Sequence, residues 1–178
     1  MTRSGRLRDL LMGGDRRSIG RVDEVLELVL GQPKRVSELA KLLWDSDAVV
    51  RMRAADALEK ISRERPEWIE PFKLNLLGLM AETGQQEIRW HLSVIVPRLE
   101  LTLMESQRAF EILKGYLTDR SSIAKTFAMQ GLWELSRQNA ESRSEVVDLV
   151  RELAKTGTAA MRARGRKLLR ELDRSEAR

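Results

Sequence analysis

The sequence predicts an all-α fold, a right-handed α-solenoid of about four antiparallel helix pairs plus a terminal capping helix. A recurring apolar pattern is the first observation. In the stretch Ala48 to Ser62, the residues Val50, Ala54, Ala57, Leu58 and Ile61 fall on one face at about 3.6 residues per turn. The same slots return as Ile88, Leu92, Ile95, Val96 and Leu99, then as Ala124, Ala128, Gly131, Leu132 and Leu135. A fourth copy is Met161, Gly165, Leu168, Leu169 and Leu172. Successive copies lie 38, 36 and 37 residues apart. The second observation is that the junctions near Ser46, Gly84, Arg120 and Gly157 keep that spacing. Periods of this length mark helical hairpins that bury their apolar faces by stacking on one another.

Composition agrees with a helical core. Of 178 residues, 42% are apolar and 33% charged, with only 4 prolines, which argues against low complexity. No apolar run approaches the ~20 residues that span a bilayer. The basic N-terminal stretch has no apolar segment of signal-peptide length, so the expected location is cytoplasmic, with no membrane partner. The absence of cysteine excludes disulfides, thiolate catalysis and cysteine-ligated zinc, and a single histidine excludes a histidine-based metal site. No cofactor is expected. The net charge of +5 is unevenly placed: residues 1–21 and 157–178 each carry +4, which leaves −3 between them.

In chain order, residues 1–17 form an N-terminal helical cap, with Leu7, Leu10 and Leu11 at helical spacing ahead of Gly13-Gly14. The first pair, 18–45, is short. Ser18 is placed to cap a helix bearing Val22, Leu26, Val29 and Leu30, which Gly31 ends. Pro33 opens a partner running to about Trp44, with Val36, Leu39, Ala40 and Leu43 inward. The second pair, 46–84, sets a helix from Asp47 to Arg65 against one restarted by Pro66, with Ile69, Phe72, Leu76, Leu77 and Met80 inward. In the third pair, 85–120, Pro97 is expected to kink the first helix. Its second helix starts on a capping box, Thr102 to Glu105, and turns Ala109, Ile112, Leu113, Tyr116 and Leu117 inward. The fourth pair, 121–157, runs through Gln138 and restarts on a second capping box, Ser142 to Glu145, before Val146, Leu149, Val150 and Leu153. Residues 158–178 have no room for a partner and close the stack as a C-terminal capping helix, all within a single domain, 1–178.

The turn Asp45-Ser46-Asp47 followed by Val50, Arg51, Ala54, Ala55, Ala57 and Leu58 resembles HEAT and armadillo-type repeats. In those, a polar turn leads into a V-R-x-x-A-A-x-A-L helix, and the resemblance covers about residues 19–173. It implies that Arg51, Arg89 and Arg162, with Lys125 one residue out of register, form a structural ladder with acidic turn residues such as Asp45, Asp47 or Asp119. It implies as well that the first helix of the third pair stays whole through its kink at Pro97. It also implies a non-catalytic scaffold that binds a protein or peptide, an inference from fold alone.

Candidate contacts fall in two groups. The second helices of such stacks line the concave face, and there Lys73, Arg108, Glu111, Lys114 and Arg151 are candidate partner contacts. Their mixed signs make a poor nucleic-acid groove. On the last helix, Arg162, Arg166, Lys167 and Arg170 spread over the outer side. They read either as the polar face an end cap needs or as contacts to an anionic partner such as nucleic acid. A HEAT-like DNA glycosylase is a special case of the latter; that family reads lesions with tryptophans and an aspartate, a trio that does not align here. A homo-oligomer is a third possibility. His91 is expected at an exposed edge, and Trp44, Trp68, Trp90 and Trp133 in core or hairpin packing.

Overall fold

A computed structural model describes residues 5–14, 18–138 and 140–176, and every regular element among them is helical, with no strand. Parts of both expected caps, residues 1–4, 15–17 and 177–178, lie outside the described residues. The chain divides into two compact units, Met1–Leu99 and Glu100–Arg178.

The first unit contains α1 (Gly5–Leu11), α2 (Val22–Gly31), α3 (Val36–Lys41), α4 (Ala48–Glu64), α5 (Lys73–Glu82) and α6 (Gln86–Ile95). At its centre is α4, which packs against α1, α2, α3 and α6. The Asp47 carboxylate accepts the Val49 N–H at 2.8 Å and so supplies one of the acceptors a helix start lacks. Every slot residue of this helix is buried: Val50, Ala54, Ala57, Leu58 and Ile61. Where four alanines stand on one helix, neighbouring backbones can approach closely, which suits a helix surrounded on several sides.

Several local expectations change. Ser18 does not cap α2, which starts four residues later at Val22. Its hydroxyl instead accepts the Gly20 N–H at 3.1 Å, a local turn that competes with helix. Along α2 the buried face is Val22, Val25 and Val29, and Leu30 points out. The segment after Pro66 is not one helix. Two 3-10 turns, Pro66–Trp68 and Glu70–Phe72, precede α5, because Pro71 removes a second backbone donor five residues after the first. Pro97 likewise ends its helix: α6 stops at Ile95, and a 3-10 turn over Val96–Arg98 leads to extended backbone at Leu99. Leu99 is buried all the same.

The second unit contains α7 (Leu103–Tyr116), α8 (Ser122–Gln138), α9 (Ala140–Thr156) and α10 (Ala159–Glu176). The predicted capping box on α7 is present in both directions, Thr102 Oγ1 accepting from Glu105 N and Glu105 Oε2 from Thr102 N. The second predicted box is not used as a start, because α9 already begins at Ala140 and Ser142 lies within its first turn. Here α8 is central and touches α7, α9 and α10. Gly165 allows α10 to meet α9 closely; a Cβ there would lie 2.9 Å from the Ala154 Cβ.

Both central helices are 17 residues long, and their burial repeats. The nine buried residues of α8, from Ala124 to Ser136, each stand 74 residues after a buried residue of α4, from Val50 to Ser62. That displacement is two periods of the apolar pattern.

Candidate functional site

A groove of about 480 Å³ opens beside α7 in the second unit, lined by Ser106, Gln107, Phe110 and Glu111 of α7, Leu135 of α8, and Ser142 and Glu145 of α9. The capping box fixes where α7 begins, and helical spacing then places Leu103, Gln107, Phe110 and Lys114 along one side of it. Leu103 is 62% exposed and Phe110 half-buried, so this side offers apolar surface to solvent. At the far end Lys114 Nζ donates to Glu145 Oε1 at 3.1 Å and stands 5.5 Å from the Phe110 ring centroid. The Glu145 carboxylate holds the Lys114 ammonium above its ordinary value, first by that hydrogen bond and then by charge. An aromatic floor between a carboxylate (Glu111) and an ion pair can take an apolar anchor flanked by a cation.

Of the five residues assigned to a concave face, Glu111 lines this groove, and Lys114 is bonded to its lining residue Glu145. Arg108 is exposed on α7 but is not among the lining residues, and Arg151 is spent on Asp148 at 3.0 Å along α9. Lys73 begins α5 in the first unit.

All four outer residues of α10, Arg162, Arg166, Lys167 and Arg170, are exposed. Arg162 Nη1 donates to the Gly157 carbonyl at 2.7 Å, and Arg170 Nε to the Arg166 carbonyl at 3.2 Å. Among the described residues no ion pair engages any of the four.

Arg51, Arg89 and Arg162 each donate to a carbonyl of the preceding turn, where the expected acceptors are the turn carboxylates. Arg51 donates to the carbonyls of Asp45 (2.6 Å) and Ser46 (3.1 Å), Arg89 to that of Thr83 (2.9 Å), and Arg162 to that of Gly157. The acidic side chains serve the turns themselves: Asp45 accepts the Asp47 N–H and Asp119 the Ser121 N–H, as Thr83 accepts that of Gln85. Asp45 also receives a two-pronged bond from Arg8, which holds its carboxyl below the usual carboxylate range and ties α1 to this turn. Turns within a unit are joined as well, through Gln85 Nε2 to the Ala48 carbonyl and Ser122 Oγ to Thr158 Oγ1.

Sequence reasoning passed over Arg53. It is 1% exposed and donates to the carbonyls of Leu11, Met12, Gly13 and Ser18, fastening the loop after α1 onto α4. The available signal was its spacing, one turn from Val50 and Ala57 on the apolar face. At the ends of the central helices a second motif repeats. Ser62 Oγ donates to the Glu59 carbonyl and accepts from Arg98, while Ser136 Oγ donates to the Trp133 carbonyl and accepts from Arg143. In the first copy Arg98 also reaches the Glu59 carboxylate, and in the second Arg143 stacks 4.1 Å from the Trp133 ring centroid. Burial raises the Glu59 carboxyl, yet the bonds from Arg63 and Arg98 prevail and hold it lowered. Trp133 thus lies against the second helix of its hairpin as expected, whereas Trp44 is 51% exposed. His91 is not at an exposed edge. It is half-buried near the α4 residues Asp56, Glu59, Lys60 and Arg63, and desolvation pushes its pKa down to about 4.

Among the described residues no group of three His, Asp or Glu side chains is placed to hold a metal ion, and no helix is long and apolar enough to cross a membrane. Compared with protein-family models and with curated proteins, the chain matches none.

Proposed function

We propose that this chain is a non-catalytic helical-repeat scaffold, a HEAT-like α-solenoid that binds a protein or peptide segment in the α7–α9 groove. The repeat reading is supported by the burial pattern shared by α4 and α8 and by the recurring arginine-to-turn bonds. The composition of the groove carries the binding reading. Of its described lining residues Phe110 and Leu135 are apolar, and the others are hydroxyl, amide or carboxylate. A site for a small molecule is mostly apolar and encloses its ligand. An aromatic anchor inside a polar rim is the anatomy of a protein interface instead.

The test is capture of partners from lysate by the wild type and by Gln107→Arg/Glu111→Arg, each with and without nuclease. The reading expects proteins that survive nuclease and are lost with the groove variant. Capture unchanged by the variant, or lost entirely on nuclease treatment, would refute it.

A further inference from the structure

We infer that the outward face of α10 is a docking surface for the phosphate backbone of duplex nucleic acid, independent of the groove. At about 100° per residue, Arg162, Arg166, Arg170, Arg174 and Lys167 fall within an arc of about 140° on the side opposite the buried Met161, Gly165 and Leu168. Asp173 is the one carboxylate inside that arc, in the last turn, so the first three turns present positive charge alone.

Among the described residues no carboxylate stands within ion-pair distance of Arg162, Arg166, Lys167 or Arg170, whereas several cations on other helices are paired. Lys60 meets Asp56, Arg63 meets Glu59, Lys114 meets Glu145 and Arg151 meets Asp148. On α10 the two arginine bonds seen go to backbone carbonyls, which fixes the side chains along the helix without cancelling their charge. Arg162 to Arg170 spans about 12 Å at ~1.5 Å per residue, and duplex DNA carries one phosphate per ~1.7 Å of its axis with both strands counted, so the stripe faces a surface dense in phosphate charge.

The other exposed residues of this face decide the class of partner. They are Ala159, Ala160, Ala163, Glu171 and Asp173, with no aromatic and no large aliphatic side chain. An acidic protein would find no anchor to bury, and an anionic membrane no wedge to insert. A single strand would find no ring on which to stack its bases. Phosphates on a regular duplex need only charge, and such contacts position without reading sequence.

The test uses the full chain and a short fluorescent DNA duplex, titrated by anisotropy. Four contacts at about −0.9 each give a log–log salt slope between −3 and −4, which is a loss of about 100-fold between 50 and 200 mM salt. Arg162→Gln/Arg166→Gln/Lys167→Gln/Arg170→Gln should lose at least tenfold in affinity at low salt and most of the slope, with helix content unchanged by circular dichroism. A second variant removes the same charge elsewhere on this unit, at the exposed residues Arg108, Arg137, Arg151 and Lys155. It should keep affinity within about threefold of wild type. Equal losses in both variants would reduce the effect to net charge and overturn the inference. So would no wild-type binding at low salt, or competition by polyglutamate as effective as by duplex of equal charge.

Discussion

A guanidinium buried inside a helical core needs acceptors on several sides, and Arg53 finds them in four main-chain carbonyls of one loop. Backbone carbonyls can accept from a planar fork of donors on several sides at once. Replacing it strands buried acceptors, each at about 1–3 kcal/mol. Arg53→Lys should therefore cost roughly 2–4 kcal/mol in chemical denaturation, since a compact ammonium cannot reach all four carbonyls. Hydrogen exchange should show the loss of protection concentrated in α1. A cost under ~1 kcal/mol would mean that the loop holds its shape unaided. Gly20 offers an independent check. Its φ is +60°, and a Cβ would lie 2.8 Å from the Arg53 guanidinium carbon, so Gly20→Ala should cost about 1–2 kcal/mol from the backbone alone.

Helices declare their buried faces in sequence because burial is periodic and local, which is why Leu58, Leu92, Ile95, Leu132 and Leu168 could be read as core from spacing. Where they end is less legible. Pro71 and Pro97 break elements that periodicity alone would continue, since the apolar stripe carries on through a 3-10 turn as Leu99 does. Contacts between helices are less legible still, and Gly165 shows the difference. Alanine is a better helix former than glycine by about 1 kcal/mol, so propensity alone favours Gly165→Ala. Its Cβ would meet the Cβ and Cα of Ala154 at 2.9 and 3.2 Å, atoms that cannot swing aside. Overpacking of this kind costs about 1–3 kcal/mol, and the steric term should win. Thermal unfolding of Gly165→Ala should come at a lower temperature than wild type; a rise would show that α9 and α10 separate at little cost. Leu132→Ala, in the middle of α8, should lose roughly 2–5 kcal/mol, measured by urea titration.

Across the whole molecule, the 74-residue repeat of burial was legible because sequence period and structural period coincide. The groove beside α7 was only half legible. Spacing identified Glu111 and Lys114 as surface residues of one helix with Phe110, but the meeting of Lys114 with Glu145 depends on which helices lie side by side. His91 is another through-space result, and it ties packing to pH. Its ring, tilted 5.7 Å from that of Trp90, is desolvated near the α4 charges: Asp56 and Glu59 raise its pKa, Lys60 and Arg63 lower it, and burial outweighs them all. With the folded pKa at about 4 against about 6.5 when unfolded, the unfolded chain takes up a proton between those values and the folded chain does not. Stability is therefore independent of this group above about pH 6.5 and falls as pH drops toward 4, by up to about 3 kcal/mol at ~1.4 kcal/mol per unit. Asp45 and Glu59 act lower down. Their folded values are depressed, so their contribution is held above the ordinary carboxylate range and lost as pH falls through it. Acid unfolding should thus proceed in two stages, the first from His91. In His91→Gln, which keeps a neutral polar side chain but cannot titrate, denaturant midpoints should stay level from pH 7 to 5 while those of wild type decline. Parallel curves for the two proteins over that range would show that His91 takes up its proton in the folded state as readily as in the unfolded one.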